Sequence, residues 1–138
     1  MKYVVGIVYN KENILLISKK RPTWQAGMLN GIGGKIEPGE NPLQAMIREC
    51  KEECNLDIED WVVLKTVSFG KDETLTYFKA YSDMKGWKSL TDEDVVMINR
   101  DKFMNEQQLD EIHSDSTILL LGTEKIMKDI YDIIKNNI

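Results

Sequence analysis

The chain has 138 residues, of which 42% are hydrophobic, so it has the size and apolar content of one domain, which we assign to residues 1–138. Its net charge of −5 argues against broad nucleic-acid binding through a basic surface, so no stable nucleic-acid complex is expected. No apolar stretch approaches the length of a membrane span, so no membrane partner is expected either.

The N-terminal part of the chain predicts two strands followed by a loop. A β-branched run predicts a strand over residues 3–9, and residues 10–13 predict a turn. Residues 14–18 predict the next strand. The loop after it runs through Pro22 and Gly27, as these two turn-forming residues indicate.

Residues 41–54 predict a helix with well-defined ends. Asn41 is a good N-cap residue, Pro42 falls at the first helical position, where a missing N–H costs nothing, and Gln44 can complete a capping box. Asn55 follows at a position where helices commonly end in the left-handed conformation, which glycine tolerates best and asparagine next.

The predicted helix has an apolar stripe and an acidic face. At about 100° per residue, the stripe consists of Leu43, Met46, Ile47, Cys50 and Cys54. The acidic face consists of Glu49, Glu52 and Glu53, with the small Ala45 beside them. We interpret the two cysteines as buried free thiols rather than a disulfide or a zinc site, which fits a reducing cytoplasm.

Beyond this helix, the pattern predicts a hairpin, a strand and two more helices. The hairpin consists of residues 61–69 and 74–81 around a Gly-Lys-Asp turn, and a short strand follows at 95–98. Helices are predicted over residues 101–109 and 116–134. Because strands and helices do not alternate regularly, we expect an α+β fold or a three-layer α/β/α sandwich.

Three glutamates at positions i, i+3 and i+4 of the helix suggest a metal site. Glu49, Glu52 and Glu53 would project from one face, close enough to share a cation. Carboxylate oxygens suit Mg²⁺, with Mn²⁺ as an alternative, and a magnesium site usually completes its shell with water and substrate phosphate. The other interpretation is a solvated helix face. A glycine-rich loop at residues 31–34 precedes the helix, and the combination favours metal-assisted attack on a phosphoanhydride.

The segment from Gly34 to Leu56 resembles the Nudix hydrolase box, GX5EX7REUXEEXGU, where U is a bulky aliphatic residue. Every fixed position matches except the last glycine, which is Asn55, and Cys50 stands at the first U position. The resemblance covers 23 residues. It implies the Nudix-type α/β/α sandwich, with a mixed β-sheet between helices.

The resemblance also implies roles for the residues of the box. The three glutamates of the acidic face would be metal ligands, and the carbonyl of Gly33 a further ligand. Glu40 and Arg48 would form an ion pair that braces the loop against the helix.

Catalysis would use carboxylates of the same site. The resemblance places Glu52 and Glu53 in the catalytic centre, and Glu53 is a candidate to accept the proton of the attacking water. Family members often add a carboxylate from a later loop as a metal ligand or base. The acidic cluster at residues 92–94 is in the right region, and we select Glu93 from it; the alternative is an exposed acidic turn.

Candidate base contacts come from a narrower resemblance. Residues 29–36 are similar to a strand of MutT-type and oxidised-purine nucleoside triphosphatases, in which the asparagine that matches Asn30 contacts the purine base. An amide can read a base edge, although Asn30 is equally well explained as a turn residue. Asp115 is the corresponding acidic candidate, with a helix cap as the alternative. Trp24 either stacks on the base or anchors packing.

Phosphate contacts would come from the cations nearest to the box. These are Arg21 and Lys35, together with Lys19 and Lys20, and their alternative role is an ordinary solvated loop. His113 is interpreted as a surface or capping residue.

The resulting hypothesis is a Mg²⁺-dependent nucleoside triphosphate pyrophosphohydrolase whose partner is a nucleotide substrate. Within the same chemistry, the alternatives are an ADP-sugar, dinucleoside polyphosphate or capped-RNA hydrolase. A non-catalytic nucleotide-binding Nudix domain is the alternative from a different class. The sequence leaves the leaving group and the oligomeric state open.

Overall fold

The computed structural model describes residues 1–20, 29–101 and 136. Its elements are a helix, α1 (Pro42–Cys54), and seven strands: β1 (Lys2–Tyr9), β2 (Asn13–Ser18), β3 (Leu29–Asn30), β4 (Ile32–Lys35), β5 (Val62–Phe69), β6 (Glu73–Tyr81) and β7 (Val95–Asn99). The five strands predicted from the sequence are confirmed to within one residue at each end.

Other sequence predictions fall largely outside these residues. The loop through Pro22 and Gly27 and the helix at 116–134 lie outside the described part of the chain, as does the helix at 101–109 apart from Asp101, which is helical. No helix within the described residues is long and apolar enough to cross a membrane.

Strand β1 lies at the centre of a mixed sheet. It runs parallel to β6 along one edge, from Lys2 to Tyr9. The other edge is divided, because β4 pairs with its first half, up to Gly6, and β2 pairs with Val8 and Tyr9. Farther along the same edge β2 pairs with β3, and its other edge pairs with β7. This division places β4 beside β1 and under α1, and the mixed sheet confirms the α+β class.

Alternate residues of β1 enter two separate hydrophobic cores. Val4 and Val8 belong to the core that includes Met46 and Cys50 of α1. Val5 and Ile7 belong to a second core on the opposite face of the sheet. Because both faces bury apolar side chains, the sheet is a middle layer rather than an open surface.

The ends of α1 follow the predicted capping chemistry. Asn41 and Gln44 form a reciprocal capping box, with N–H···O distances of 2.8 and 2.9 Å. At the other end, Asn55 adopts the left-handed conformation with φ 65°, and its N–H donates to the Lys51 carbonyl. Local sequence chemistry therefore fixes where this helix begins and ends.

The buried face of α1 is rotated relative to the predicted apolar stripe. Ala45, expected beside the acidic face, is completely buried with Met46, Cys50 and Cys54, whereas Leu43 is 39% exposed. The prediction for these two residues was therefore wrong. The rotation moves the adjacent acidic face toward the sheet, because Ala45 and the acidic side chains lie on the same side of the helix.

The glycine-rich segment is also different from the prediction. Gly33 and Gly34 belong to strand β4 and not to a loop, and neither has a positive φ. Neighbouring atoms leave no room for a side chain at these positions. A Cβ at Gly33, for example, would collide with the Val4 carbonyl oxygen. The positive φ of this region is at Gly39 (87°), in the connection between β4 and α1.

The two cysteines are buried free thiols, as predicted. Their Sγ atoms lie 3.3 Å apart, and Cys54 Sγ also contacts the Cys50 carbonyl oxygen at 3.1 Å.

Candidate active site

The connection between β4 and α1 is fastened to the helix by a bidentate ion pair. Arg48 Nε and Nη2 donate to the two carboxylate oxygens of Glu40 at 2.7 and 2.9 Å. Arg48 Nη2 also donates to the Lys35 carbonyl at 3.1 Å. Hydrogen bonds from Arg48, and then from the backbone N–H of Glu37, lower the pKa of Glu40 to about 2. A charged fork–fork contact of this kind fixes both distance and orientation.

We expect Glu40→Ala to lower the melting temperature and also the rate, because Arg48 loses its bidentate partner. A carboxyl with a lowered pKa contributes stability that is present above its ordinary pKa of 4.5 and lost as the pH falls toward about 2. Denaturant unfolding at pH 7 and pH 3 should therefore differ less in the variant than in the wild type.

Glu37→Ala is the matched control for this prediction. The Glu37 carboxylate lies 4.0 Å from Arg48 and its side chain is 62% exposed, so its loss should change the melting temperature little. An unchanged melting temperature with lost activity in Glu40→Ala would instead place Glu40 directly in the chemistry.

The same guanidinium also contacts the acidic face. Arg48 Nη1 donates to Glu49 Oε1 at 3.0 Å and to Glu52 Oε2 at 3.2 Å. The Glu49 side chain is only 13% exposed, whereas that of Glu52 is 56% exposed. Within the described residues, no three metal-ligating side chains converge on one point. Arg48 instead acts as the counter-ion of the acidic face.

Strand β4 comes close to this face at its glycines. A Cβ on Gly34 would lie 2.5 Å from Glu49 Oε1 and 2.8 Å from Glu49 Cδ. The Cα of Gly34 therefore faces the Glu49 carboxylate.

Glu53 carries a buried carboxylate oxygen. Its Oε2 atom is buried and, among the described residues, has no hydrogen-bond partner. Burial, and then the neighbouring Glu49 carboxylate, raise the pKa of Glu53 to about 9, and the charge of Lys19 acts in the opposite direction. In the metal-free protein, the Glu53 carboxyl therefore favours its protonated form.

The alternative interpretation of Glu93, a residue of an exposed acidic turn, is wrong. Its side chain is 13% exposed, and its Oε1 accepts a hydrogen bond from Lys19 Nζ at 2.9 Å. Its Oε2 accepts one from the backbone N–H of Lys20 at 2.7 Å. Glu93 is therefore fastened to the end of β2, and the ammonium that it binds also acts on Glu53.

The segment that carries Glu93 is anchored to α1. This β6–β7 connection, residues 82–94, supplies the N–H of Leu90 to the Glu53 carbonyl at 3.1 Å. The N–H of Lys88 donates to the Cys54 carbonyl at the same distance. Two carbonyls of the last helical turn, which have no partner within the helix, are thereby satisfied.

Two of the five predicted substrate contacts lie within the described residues. Asn30 is paired with Ile17 in the β2–β3 ladder, and its Oδ1 accepts a hydrogen bond from the N–H of Gly31 at 2.8 Å. Lys35 ends β4 with an exposed side chain. The remaining candidates, Arg21, Trp24 and Asp115, lie outside the described residues, as does His113.

The donors of this site suit a hard divalent cation. They are the carboxylates of the acidic face, and one of their oxygens, Glu53 Oε2, is buried with no partner among the described residues. Oxygen donors of this kind match Mg²⁺ or Mn²⁺ better than a thiophilic metal. A cation would also relieve the repulsion between Glu49 and Glu53.

The fold and this acidic helix face define a class of protein that comparison with known families identifies. The family model described as NUDIX domain matches residues 1–118. The chain belongs to the Nudix family, and it is accordingly a phosphoanhydride hydrolase.

Among characterised proteins, the chain is similar to two nucleotide hydrolases of the 8-oxo-dGTP diphosphatase type and to one CTP pyrophosphohydrolase. It is 33% identical to the Proteus vulgaris 8-oxo-dGTP diphosphatase over 53% of this chain and 69% of that protein. It is 31% identical to the Escherichia coli K12 protein of the same name, over 50% and 54% of the two chains. Identity to the E. coli CTP pyrophosphohydrolase is 35%, over 41% and 42%.

Solved structures show the same fold. The MutT NUDIX hydrolase from Burkholderia pseudomallei has a TM-score of 0.69 at 19% identity, covering 93% of this chain and 95% of that one. The MutT protein from Methanosarcina mazei Go1 has a TM-score of 0.68 at 18% identity, covering 99% and 96%. The Nudix-type α/β/α sandwich is thereby confirmed.

One contact of the site was missed by sequence reasoning. Lys19 was recognised only as one of four cations near the box, whereas the structure pairs it with Glu93, 74 residues later. Its position at the end of β2 was the available signal, but the pairing depends on β7 lying antiparallel to β2.

Proposed function

We propose that this chain is a Mg²⁺-dependent nucleoside triphosphate pyrophosphohydrolase of MutT type, which releases a nucleoside monophosphate and pyrophosphate. The observation that carries the proposal is the buried Glu53 Oε2, which has no partner among the described residues and lies in a cluster with Glu49 and β4. The similarity to 8-oxo-dGTP diphosphatases supports the choice of substrate class.

In this proposal Glu49, Glu52 and Glu53 hold the metal, together with the carbonyl of Gly33. Mg²⁺ is the proposed ion, and Mn²⁺ is its alternative. When bound, such an ion neutralises phosphate oxygens and makes an attacking water more acidic. Glu52 would have to leave Arg48 to take part, and its exposed side chain leaves it room to do so.

The chain's own residues would position the reaction and accept the proton. Glu53 is the proposed base, because a carboxyl whose pKa is raised by burial binds a proton more strongly once it is ionised. Arg48 and Glu40 hold the helix and its connection to β4 in register. Asn30 and Lys35, with Arg21, Trp24 and Asp115, are the proposed substrate contacts.

Two alternatives differ from this proposal, one in the base of the substrate and one in lacking catalysis. The similarity to a CTP pyrophosphohydrolase favours a pyrimidine triphosphate as the second candidate substrate. A non-catalytic nucleotide-binding domain is disfavoured, because simple nucleotide binding does not require all three glutamates of the acidic face.

A hydrolysis screen with Mg²⁺ tests the proposal. Purine and pyrimidine triphosphates, 8-oxo-dGTP, ADP-sugars, dinucleoside polyphosphates and capped RNA would be compared under the same conditions. Monophosphate and pyrophosphate are the expected products, and a chelator should stop the reaction reversibly. Release of inorganic phosphate, release of a sugar phosphate, or binding without turnover would contradict the proposal.

Asn30→Ala should selectively reduce turnover of purine triphosphates if the amide reads a base edge. One hydrogen bond to a neutral group is worth about 0.5–1.5 kcal/mol, which corresponds to a several-fold loss in kcat/KM. Steady-state kinetics with a purine and a pyrimidine triphosphate would measure the difference.

Asn30→Asp separates base reading from support of the backbone. The aspartate keeps an oxygen for the Gly31 N–H but loses the donor of the amide. A near-wild-type Asn30→Asp, together with an Asn30→Ala that loses activity on all nucleotides, would show that Asn30 only supports the strand.

A further inference from the structure

Lys19 is held at the end of β2 by a carboxylate from a distant part of the chain. Its Nζ lies 2.9 Å from Glu93 Oε1, and the side chains are 24% and 13% exposed, respectively. The adjacent Lys20 N–H binds the other oxygen of Glu93 at 2.7 Å, and the Ser18 N–H binds the Asp94 carbonyl at 2.7 Å. Three contacts therefore join the end of β2 to the β6–β7 connection.

The held ammonium belongs to the acidic site. Leu90, three residues before Glu93, donates its N–H to the carbonyl of Glu53, so this connection joins Lys19 to the last turn of α1. Glu93 lies only three residues from this contact, a stretch of chain that spans at most about 10 Å. The ammonium that Glu93 binds is therefore held near the turn of α1 that carries Glu52 and Glu53.

We propose that Lys19 is an internal cation that sets the divalent-metal affinity of the acidic face, and that Glu93 acts by holding this cation in place. This inference rests on the proposed function, since it concerns the same metal site. It makes Glu93 a positioning residue instead of the metal ligand or base expected from the sequence.

Electrostatics gives the sign of the effect. An ammonium near the site repels an incoming divalent ion, so removing it should tighten metal binding. The same ammonium also repels a proton that competes with the metal for Glu53. The divalent ion carries twice the charge of the proton, so removal of the ammonium favours the metal more than the proton. At constant pH, Lys19→Met should therefore bind Mn²⁺ more tightly.

The experiment titrates the nucleotide-free protein with Mn²⁺ alone and follows free Mn²⁺ by its electron paramagnetic resonance signal. Lys19→Met should bind several-fold more tightly than the wild type, while Lys19→Arg, which keeps the charge, should match the wild type. Lys20→Met is the matched control: it removes the same charge one residue later, but Lys20 contacts Glu93 only through its backbone. Its affinity should stay close to that of the wild type.

A double-mutant cycle tests the role of Glu93. Glu93→Gln should change Mn²⁺ affinity in the wild type but have little effect in the Lys19→Met background. An equal loss in both backgrounds would identify Glu93 as a metal ligand and overturn the proposal. Equal affinities of Lys19→Met and Lys20→Met would also overturn it.

The cycle is independent of the substrate assignment. A wild type that binds Mn²⁺ with the expected differences among variants, but hydrolyses no triphosphate, would contradict the proposed function and leave the role of Lys19 intact. A wild type that hydrolyses triphosphates, with equal Mn²⁺ affinities of Lys19→Met and Lys20→Met, would contradict the role of Lys19 and leave the proposed function intact.

Discussion

Glu53→Gln is expected to remove almost all turnover while leaving the metal-free protein at least as stable as the wild type. The loss should exceed the roughly 10–100-fold effect of removing an outer-shell partner of a metal, because Glu53 is a proposed ligand and base. Stability should not fall, because glutamine keeps the shape of the side chain and removes a buried group that repels Glu49 when ionised.

The pH dependence of stability provides the physical check. A carboxyl whose pKa is raised in the folded state binds more protons folded than unfolded, so its contribution weakens as the pH rises from 4.5 toward about 9. Denaturant unfolding of the metal-free wild type should show this decline, and the Glu53→Gln variant should show less of it.

Glu52→Gln separates the loss of turnover from the change in the pH dependence of stability. The Glu52 side chain is 56% exposed, so its replacement should also reduce turnover but should leave the pH dependence of stability as in the wild type. Near-wild-type activity of Glu53→Gln at saturating Mg²⁺ would contradict the assignment of the metal site.

Gly33→Ala is expected to destabilise the fold strongly. The added Cβ would collide with the Val4 carbonyl oxygen and lie 2.9 Å from Val5 Cα, so β1 and β4 would have to separate. Backbone atoms cannot move aside as a flexible side chain can. We therefore expect the free energy of unfolding to fall by an amount at or above the upper end of the roughly 1–3 kcal/mol typical of overpacking. Denaturant unfolding would measure it.

Gly34→Ala is the matched substitution, with a different expected result. Its Cβ would meet the end of the Glu49 side chain, 2.5 Å from Oε1, and that carboxylate can rotate away. The fold should therefore be affected much less than in Gly33→Ala, while metal affinity and turnover should fall. Equal unfolding free energies for the two variants would contradict this account of β4.

The proposed site was predictable from the sequence where it depends on neighbours along the chain. The ends of α1 follow from Asn41, Gln44 and Asn55, whose side chains or backbone act within one helical turn. The spacing from Glu40 to Arg48 likewise indicated the ion pair that the structure contains. The rotation of α1 was not predictable in this way, because periodicity ranks Leu43 above Ala45 as a core residue.

The sequence by itself determined the family, five of the seven described strands, the helix ends and the identity of the acidic residues, because each depends on residue types at short, fixed spacings. Only the tertiary structure decided the environment of those residues. The glycines of β4 let the strand approach Glu49, and the rotation of α1 carried Glu53 out of solvent. The antiparallel pairing of β2 with β7 brought Lys19 to Glu93 across 74 residues. Burial and long-range ion pairs depend on which surfaces meet, and that is a property of the packed sheet and helix.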